Sequence, residues 1–240
     1  MTGALAASLA AALLTLSACS PPAQQTNPTD TQPSSTRSTP AMSADNTYDD
    51  ALLNAAASGN TDELLAALGN GANLEARDSR QRTALLLAAS NDHVEAARIL
   101  VEKGADVNAV DDQKDTPWLV TGVTGSVEMG KVLLEGKPNM KLRNRYGGIT
   151  PIPAAERGHV EYIEWVATTG IDLDHVNDLG WTALLEAVIL GDGGPRHQQT
   201  VKALVNAGVN TSIADKDGVT ALEHAQKRGY KEIVALLQAE

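Results

Sequence analysis

Short stretches rich in alanine and leucine alternate with polar turns through most of the chain. Residues 83–90 combine an opening threonine with a run of Ala and Leu, which predicts a short helix. After a turn at Asn91-Asp92, residues 93–103 place apolar side chains at helical spacing and predict a second helix. Gly104 then suits the left-handed conformation in which many helices end. The pattern therefore predicts a pair of short helices followed by a polar tip.

This pattern recurs with a period of 33 residues. One marker position is occupied by Gly59, Asp92, Gly125, Gly158, Gly191 and Gly229. A second is occupied by Gly71, Gly104, Lys137, Gly170 and Gly208. Both series keep spacings of 33 until the last, which is 38. Two markers with the same period and the same slip indicate an internal repeat. One such helix pair cannot bury its own apolar face, so the units are expected to stack.

The repeat resembles the ankyrin repeat. The resemblance is carried by Thr116-Pro117, Thr150-Pro151, the Ala-Ala pairs at 88–89 and 154–155, and residues 104–108, 158–161 and 215–220. It implies an all-α ankyrin-repeat solenoid over residues 45–240, with about six helix-turn-helix units, short hairpin tips and end caps. It implies protein partners rather than a particular activity, because a fold alone does not fix function. The histidine of the family's TPLH motif is missing throughout.

Two units depart from the pattern. In the fourth, Thr150 comes one position late, and we expect residues 145–148 in the hairpin tip to absorb the slip. In the third, Lys137 replaces the helix-ending glycine and Pro138 follows it, which predicts the least stable unit.

The first 44 residues are predicted to direct export of the protein and to lie outside its folded domain. Residues 4–16 are apolar but too short to span a bilayer, as in a signal peptide. Leu16-Ser17-Ala18-Cys19 resembles the lipobox of bacterial lipoproteins, which implies a signal peptide at 1–18 and a lipid on Cys19. Residues 19–44 are rich in Pro, Ser and Thr and predict a disordered linker. Because residues 1–3 lack Lys and Arg, a cleaved secretory signal and a cytosolic protein remain alternatives.

Composition narrows the function classes. The net charge of −11 argues against binding nucleic acid, and the membrane is expected to be contacted through the lipid alone. A single cysteine excludes an internal disulfide, and the five histidines include no pair at i, i+4. His93 and His159 share one repeat position and predict a scaffold role. No motif of a nucleophilic enzyme is present. We expect no metal, no cofactor and no catalysis.

Ankyrin partners usually dock on the hairpin tips and the inner helix face, and the resemblance carries that role to the tips of this chain. The candidate partner-binding residues are Arg80, Arg82, Asp112, Asp115, Arg145, Tyr146, Asp178, Trp181, Lys216 and Asp217. Trp181 stands where side chains normally face outward and is the predicted energetic centre, unless it packs on a neighbouring tip. Trp118 and Trp165 stand where leucine is usual and are expected in the core.

The five extra residues lie between the helices of the fifth unit, within residues 191–200, GDGGPRHQQT. Gly193, Gly194 and Pro195 disfavour helix, which predicts an enlarged interhelix loop. Insertions in loops are tolerated, so the loop has a structural interpretation. Alternatively Asp192, Arg196 and His197 form a site for a partner or an anion.

The sequence as a whole predicts a monomeric, non-catalytic interaction module that binds an unidentified protein. It is expected to be lipid-anchored to a membrane of the bacterial cell envelope, with its repeats in the periplasm or at the cell surface. The alternatives are a regulator that inhibits or protects an envelope enzyme or toxin, a small-ligand binder using the loop at 191–200, and a cytosolic scaffold.

Overall fold

Pairs of short helices follow one another along the computed structural model, which describes residues 44–239. The first helices of the pairs are α1 (Ala44–Ser58), α3 (Ala84–Ser90), α5 (Pro117–Thr124), α7 (Pro151–Glu156), α9 (Ala183–Ile189) and α11 (Ala221–Arg228). The second helices are α2 (Thr61–Gly69), α4 (Val94–Glu102), α6 (Val127–Glu135), α8 (Val160–Val166), α10 (Pro195–Asn206) and α12 (Lys231–Gln238). A 3-10 turn, Ala167–Thr169, continues α8. The predicted signal peptide, Cys19 and most of the predicted linker lie outside the described residues.

Threonine side chains begin most of the first helices. Thr83, Thr116, Thr182 and Thr220 each accept a hydrogen bond from the main-chain N–H three residues further on. Such a bond satisfies a donor that has no partner inside the helix, and it stabilises the helix by about 1 kcal/mol. The predicted threonine start of the helix at 83–90 is confirmed.

The helices form two layers. Each first helix packs against the first helix of the next pair, from α1 to α11, and each second helix packs against the next second helix, from α2 to α12. Alanine and leucine fill the space between the layers in one continuous core. Small alanines let neighbouring helices approach closely. Within the described residues, β-structure is limited to two isolated bridges, Arg77 with Thr83 and Ala214 with Thr220. The predicted all-α solenoid of six units is confirmed.

The slip in the fourth unit lies after the hairpin tip, not within it. The tip closes with the N–H of Asn144 donating to the carbonyl of Gly148 at 3.0 Å, the same pattern as Asp111 to Asp115 in the third unit. Ile149 then takes the place of the capping threonine, and Thr150 already has helical φ −51° and ψ −38°. The expectation that residues 145–148 absorb the slip is wrong, because a buried isoleucine replaces the cap directly before α7.

Lys137 keeps the backbone conformation of the glycine that it replaces. Its φ is +57°, while Gly104 and Gly170 at the equivalent positions have φ of +90° and +80°. Left-handed backbone is unfavourable for a side chain larger than glycine. The third unit therefore carries local strain at Lys137. Gln81 and Asp92 in the second unit also have positive φ, so the lower stability of the third unit stays a prediction.

Candidate partner-binding groove

Each hairpin tip is built on one Asp or Asn. The Oδ1 of Asp78 accepts hydrogen bonds from the N–H groups of Arg80 and Arg82, both at 2.9 Å. The same two bonds recur at the other tips, where the accepting residues are Asp111, Asn144, Asn177 and Asp215. A short polar side chain that bonds its own following backbone closes a turn. Their spacings of 33, 33, 33 and 38 are a third period marker that sequence reasoning missed.

The hairpin tips follow one another in a row, in which hydrogen bonds join the second tip to the third, the fourth to the fifth, and the fifth to the sixth. The N–H of Asp112 donates to the carbonyl of Arg80 at 3.1 Å, and the N–H of Asp178 donates to the carbonyl of Tyr146 at 3.0 Å. The ammonium of Lys216 donates to the carbonyl of Asp178 at 2.5 Å. Most of the residues predicted to bind a partner therefore lie along this row of tips. The row is held by the chain's own bonds, so it presents side chains from a fixed backbone.

The predicted tip residues differ in how free their side chains are. Arg82 is folded back onto Asp78, with a guanidinium nitrogen 2.6 Å from the carboxylate. Asp115 is partly buried, and burial, followed by repulsion from Asp111, raises the pKa of its carboxyl. Arg80, Asp112, Lys216 and Asp217 are exposed. The tips thus offer scattered charges of both signs rather than one continuous charged surface.

Trp181 does not stand out into solvent. It is only partly exposed and packs against the hydrophobic core. The expectation of a freely exposed tryptophan is therefore wrong, and Trp181 packs against the core, whereas the alternative predicted that it packs on a neighbouring tip. Leu179, two residues earlier in the same tip, has 49% of its surface exposed, and Tyr146 in the preceding tip has 52%. Tyr146 and Leu179 are the most exposed large apolar side chains of the described tips, and Val110 and Val176, directly before the third and fifth tips, are 41% and 42% exposed. A partner-binding role for Trp181 stays a prediction.

A groove of about 380 Å³ lies between the tips and the first helices in the middle of the stack. The fourth and fifth tips contribute Tyr146 and Leu179, α5 and α7 contribute Val123 and Pro153, and Leu190 lines the groove directly after α9. Tyr146, Leu179, Val123 and Leu190 are all at least 41% exposed, an unusual concentration of free apolar surface. Arg145, at the same edge, lies over the Tyr146 ring at 4.6 Å. The groove therefore combines a rigid wall with exposed apolar contacts.

A carboxyl group forms part of the floor of this groove. Glu186 on α9 lines the groove, although only 5% of its surface is exposed. Its Oε1 accepts a hydrogen bond from the amide of Asn177 at 2.8 Å. Burial, and then repulsion from Glu156, raises the pKa of the Glu186 carboxyl to about 7. Without a nearby cation, burial disfavours the charged form of an acid. This buried acid is the main chemical feature of the groove.

The insertion in the fifth unit lengthens a helix as well as a loop. The helix α10 begins at Pro195 and has 12 residues, while α4 and α6 have nine. The prediction that Pro195 lies in an enlarged loop is wrong, because proline fits the first position of a helix, where its missing N–H is not needed. Arg196 and His197 are therefore helical, and the loop itself is limited to residues 191–194.

His197 has a structural contact in this arrangement. Its Nε2 lies 2.9 Å from the carbonyl of Glu156, and its Nδ1 lies 2.8 Å from the carboxylate of Asp192. His93 and His159 make the equivalent contact with carbonyls 36 residues earlier, and for His197 the separation is 41. The difference of five equals the insertion, so residues 192–196 are the added ones and His197 keeps the place of the repeat's histidine.

The loop is further held by the last unit. The guanidinium of Arg228 donates to the carbonyls of Ile189 and Gly191, and the hydroxyl of Tyr230 donates to Gly191 at 3.1 Å. Gly193, with φ of +71°, lies so close to the Tyr230 ring that a Cβ would be 2.5 Å from it. These contacts favour the structural interpretation of the loop. A partner role for Asp192, Gly193, Gly194, Arg196 and His197 stays a prediction.

Sequence reasoning did not identify Glu186, Asn177 or Leu190 as parts of a site. One signal was available for Glu186, because it interrupts the otherwise apolar helix 183–189, ALLEAVI, where the second and third units have Leu87 and Val120. Leu190 follows that helix and carried no comparable signal. In the described part of the chain, no group of three His, Cys, Asp or Glu side chains converges as a metal site. No helix described there is long and apolar enough to cross a membrane.

Comparison with known proteins identifies the family to which the chain is similar. The family profile "Ankyrin repeats (3 copies)" matches residues 36–111, 52–144 and 152–240. The ankyrin repeat protein YahD of Escherichia coli (strain K12) is 42% identical over 104 residues, which are 43% of this chain and about half, 52%, of that protein.

Two solved structures are also similar. An ankyrin repeat domain from Acinetobacter baumannii AYE has a TM-score of 0.74 at 45% identity, over 78% of this chain and 96% of that one. The ankyrin repeat protein EF0377 has a TM-score of 0.75 at 36% identity, over 79% and 97%. The repeat fold described above thus has close structural counterparts, and the chain belongs to the ankyrin repeat family, whose repeats are protein–protein interaction modules.

Proposed function

We propose that this protein is a non-catalytic binding module of the bacterial cell envelope, and that the groove between its tips and first helices is the surface that holds a partner protein. The observation that carries the proposal is the groove itself, where four exposed apolar side chains surround a cavity of about 380 Å³. A preformed concave surface binds without the cost of ordering it first. The module acts as a single copy.

The apolar side chains supply the expected binding energy. Tyr146 and Leu179 stand on neighbouring tips, and Val123 and Leu190 stand on the helix side of the groove. Burying such side chains beneath a partner contributes about 25 cal/mol per Å² of apolar surface. Tyrosine beside arginine, as in the pair Tyr146 and Arg145, is a common composition of the residues that dominate binding. We therefore place the centre of the interface at the fourth and fifth tips.

The double substitution Tyr146→Ala with Leu179→Ala is expected to weaken partner binding at least about tenfold, since one such residue at the centre of an interface is often worth 1–2 kcal/mol. The measurement is capture of envelope proteins on the immobilised full-length chain, followed by titration of the purified partner. Leu65→Ala on α2, which removes a similarly exposed leucine 48% accessible on the other layer, is the matched control. A partner that binds the double variant as tightly as the wild type would place the interface elsewhere.

The same titration separates two forms of the proposal. If the partner is an envelope enzyme or toxin whose activity changes when the chain binds, the protein is a regulator, acting as inhibitor or protector. If its activity is unchanged, the protein is a scaffold. A small-ligand site at residues 191–200 is disfavoured because the ring nitrogens of His197 are already engaged by Glu156 and Asp192.

The envelope location rests on the segment around Cys19. The substitution Cys19→Ala is expected to move the protein from the membrane fraction to the soluble fraction, because a lipid anchor requires the thiol and each buried methylene contributes about 0.8 kcal/mol. Metabolic labelling with a palmitate analogue, read on the same fractions, is the direct measurement. Ser17→Thr is a control that leaves the cysteine in place. Equal membrane fractions and no label on the wild type would contradict the lipid anchor.

A further inference from the structure

We propose that the groove selects a partner segment that places one lysine or arginine side chain beside Glu186 and Glu156, with apolar residues on either side of it. This deepens the proposed function and rests on it, since it names the chemistry of the partner for the same groove.

Glu186 is buried without a cationic partner. Its Oε1 is bonded to the Asn177 amide at 2.8 Å, and among the described residues no donor is found for its other oxygen. No lysine or arginine nitrogen of the described chain lies within 4.0 Å of it. A buried carboxylate is costly unless a cation and hydrogen bonds accompany it. A cationic side chain from a partner would supply both.

The depth at which the charged side chains lie in the groove favours the binding of a cation. The acidic side chains lie deeper in the groove than the basic ones, since Glu186 is buried and Glu156 and Asp115 are partly buried. The basic residues Arg145 and Arg157 line the same groove but are exposed. Solvent and salt weaken the exposed charges more than the buried ones. An entering cation is therefore attracted at the floor more strongly than it is repelled at the rim.

The apolar walls fit the stem of a basic side chain. Leu179 and Leu190 line the groove together with Glu186 and are each 49% exposed. Lysine and arginine carry aliphatic stems that cover apolar surface while the charged head reaches a polar partner. A basic residue flanked by apolar residues would cover the leucines and reach Glu186 in one binding mode.

The proposal has a consequence for pH. A cation binds the ionised form of Glu186, and burial together with the charge of Glu156 on α7 raises the pKa of that carboxyl to about 7. On α11, His224 occupies the equivalent repeat position and is bonded to Asp215 at 2.7 Å. On α10, His197 is bonded to Asp192. Asp115, Arg145 and Arg157 complete the charged lining. Because only the ionised fraction binds, affinity is expected to rise about tenfold from pH 6 to pH 8.

The probe is a random nonapeptide library displayed on phage, selected against the immobilised full-length chain at pH 8. We expect selected peptides to share one lysine or arginine between apolar residues. A synthetic copy is expected to bind at least tenfold more weakly when norleucine replaces that lysine, or when the protein carries Glu186→Gln. That variant is also expected to lose the dependence on pH. Glu161→Gln, an exposed acid on α8, is the matched control and is expected to bind as the wild type does.

The outcomes separate this inference from the proposed function. Peptides that lose binding to the Tyr146→Ala, Leu179→Ala variant but show no basic preference, or bind Glu186→Gln equally well, would overturn the inference and leave the groove as the binding surface. Peptides indifferent to that double variant would count against the groove itself. A selection that enriches no peptide would also overturn the inference, because the inference requires a short segment to be recognised.

Discussion

Trp118→Ala is expected to lower the free energy of unfolding by about 3–5 kcal/mol, the range found when a large aromatic side chain is removed from a packed core. Trp118 lies on α5 and is 1% exposed. Its ring is 6.1 Å from that of Trp165 on α8, which in turn meets the edge of Tyr162 at 5.5 Å. The side chain therefore joins the third unit to the fourth, and its loss leaves a cavity between them.

The loss of stability in Trp118→Ala is expected to weaken the contact between the third and fourth units, so that they unfold less cooperatively. In a solenoid, each unit is stabilised mainly by its two neighbours. The third unit already carries Lys137 in a left-handed conformation, with φ of +57°. Removing Trp118 from the same unit is therefore expected to broaden the unfolding transition as well as to shift it, because the units on either side begin to unfold separately.

Urea unfolding of the full-length chain, followed by circular dichroism and tryptophan fluorescence, measures both effects. Trp118→Leu is the comparison, because leucine fills part of the cavity and is usual at this repeat position; we expect it to lose less than half as much stability as the alanine variant. A loss below about 1 kcal/mol for Trp118→Ala, with an unchanged transition, would show that the two units are held together elsewhere.

Glu186→Gln is expected to stabilise the protein by about 3 kcal/mol at pH 8 and to change it little at pH 4. Burial raises the pKa of the carboxyl from the ordinary 4.5 to about 7, so the folded chain holds this proton more tightly than the unfolded chain does. The wild type is therefore penalised as pH rises from about 4.5 through 7, and the penalty is complete above that range. Each tenfold change in the acid constant corresponds to about 1.4 kcal/mol.

Glutamine keeps an oxygen that can accept the hydrogen bond from the Asn177 amide, and it removes the charge. Urea unfolding at pH 4, 6 and 8 measures the difference between variant and wild type at each pH. Glu161→Gln, on the exposed side of α8, is the control and is expected to show no such trend. A constant difference across the three values would mean that the Glu186 carboxyl does not titrate in this range. A buried acid that destabilises the fold at the floor of this groove supports the proposed role of Glu186 in recognising a partner.

The repeat architecture was predictable because it depends on local chemistry repeated in series. The threonine caps at 83, 116, 182 and 220, the alanine and leucine runs and the glycines after the second helices are short-range features that recur with one period. The tip residues Asp78 and Asn177 are equally local and equally periodic, and they could have been found by the same search. Trp118 in the core was predicted for the same reason, since its repeat position is usually apolar.

The errors arose where contacts between units decide the outcome. The orientation of Trp181 depends on the side chains that pack beside its tip, and its side chain is partly buried against the hydrophobic core. The contact of His197 with the carbonyl of Glu156, 41 residues away in the preceding unit, could not be read from the sequence. The start of α10 at Pro195, by contrast, follows a local preference of proline for the first position of a helix. In the fourth unit, Ile149 replaces the cap because burial against neighbouring helices compensates for the missing oxygen.

The sequence by itself determined the class of fold, the six units, the period and the place of the insertion, because each of these is written in short-range patterns. Only the tertiary structure decided which residues form the groove. Val123 comes from the third unit, Tyr146 from the fourth, and Leu179 and Glu186 from the fifth, and stacking brings them to one surface. Stacking also decides the chemistry of Glu186, since burial and the charge of Glu156 set its proton affinity. Those effects depend on distance in space and not on distance along the chain.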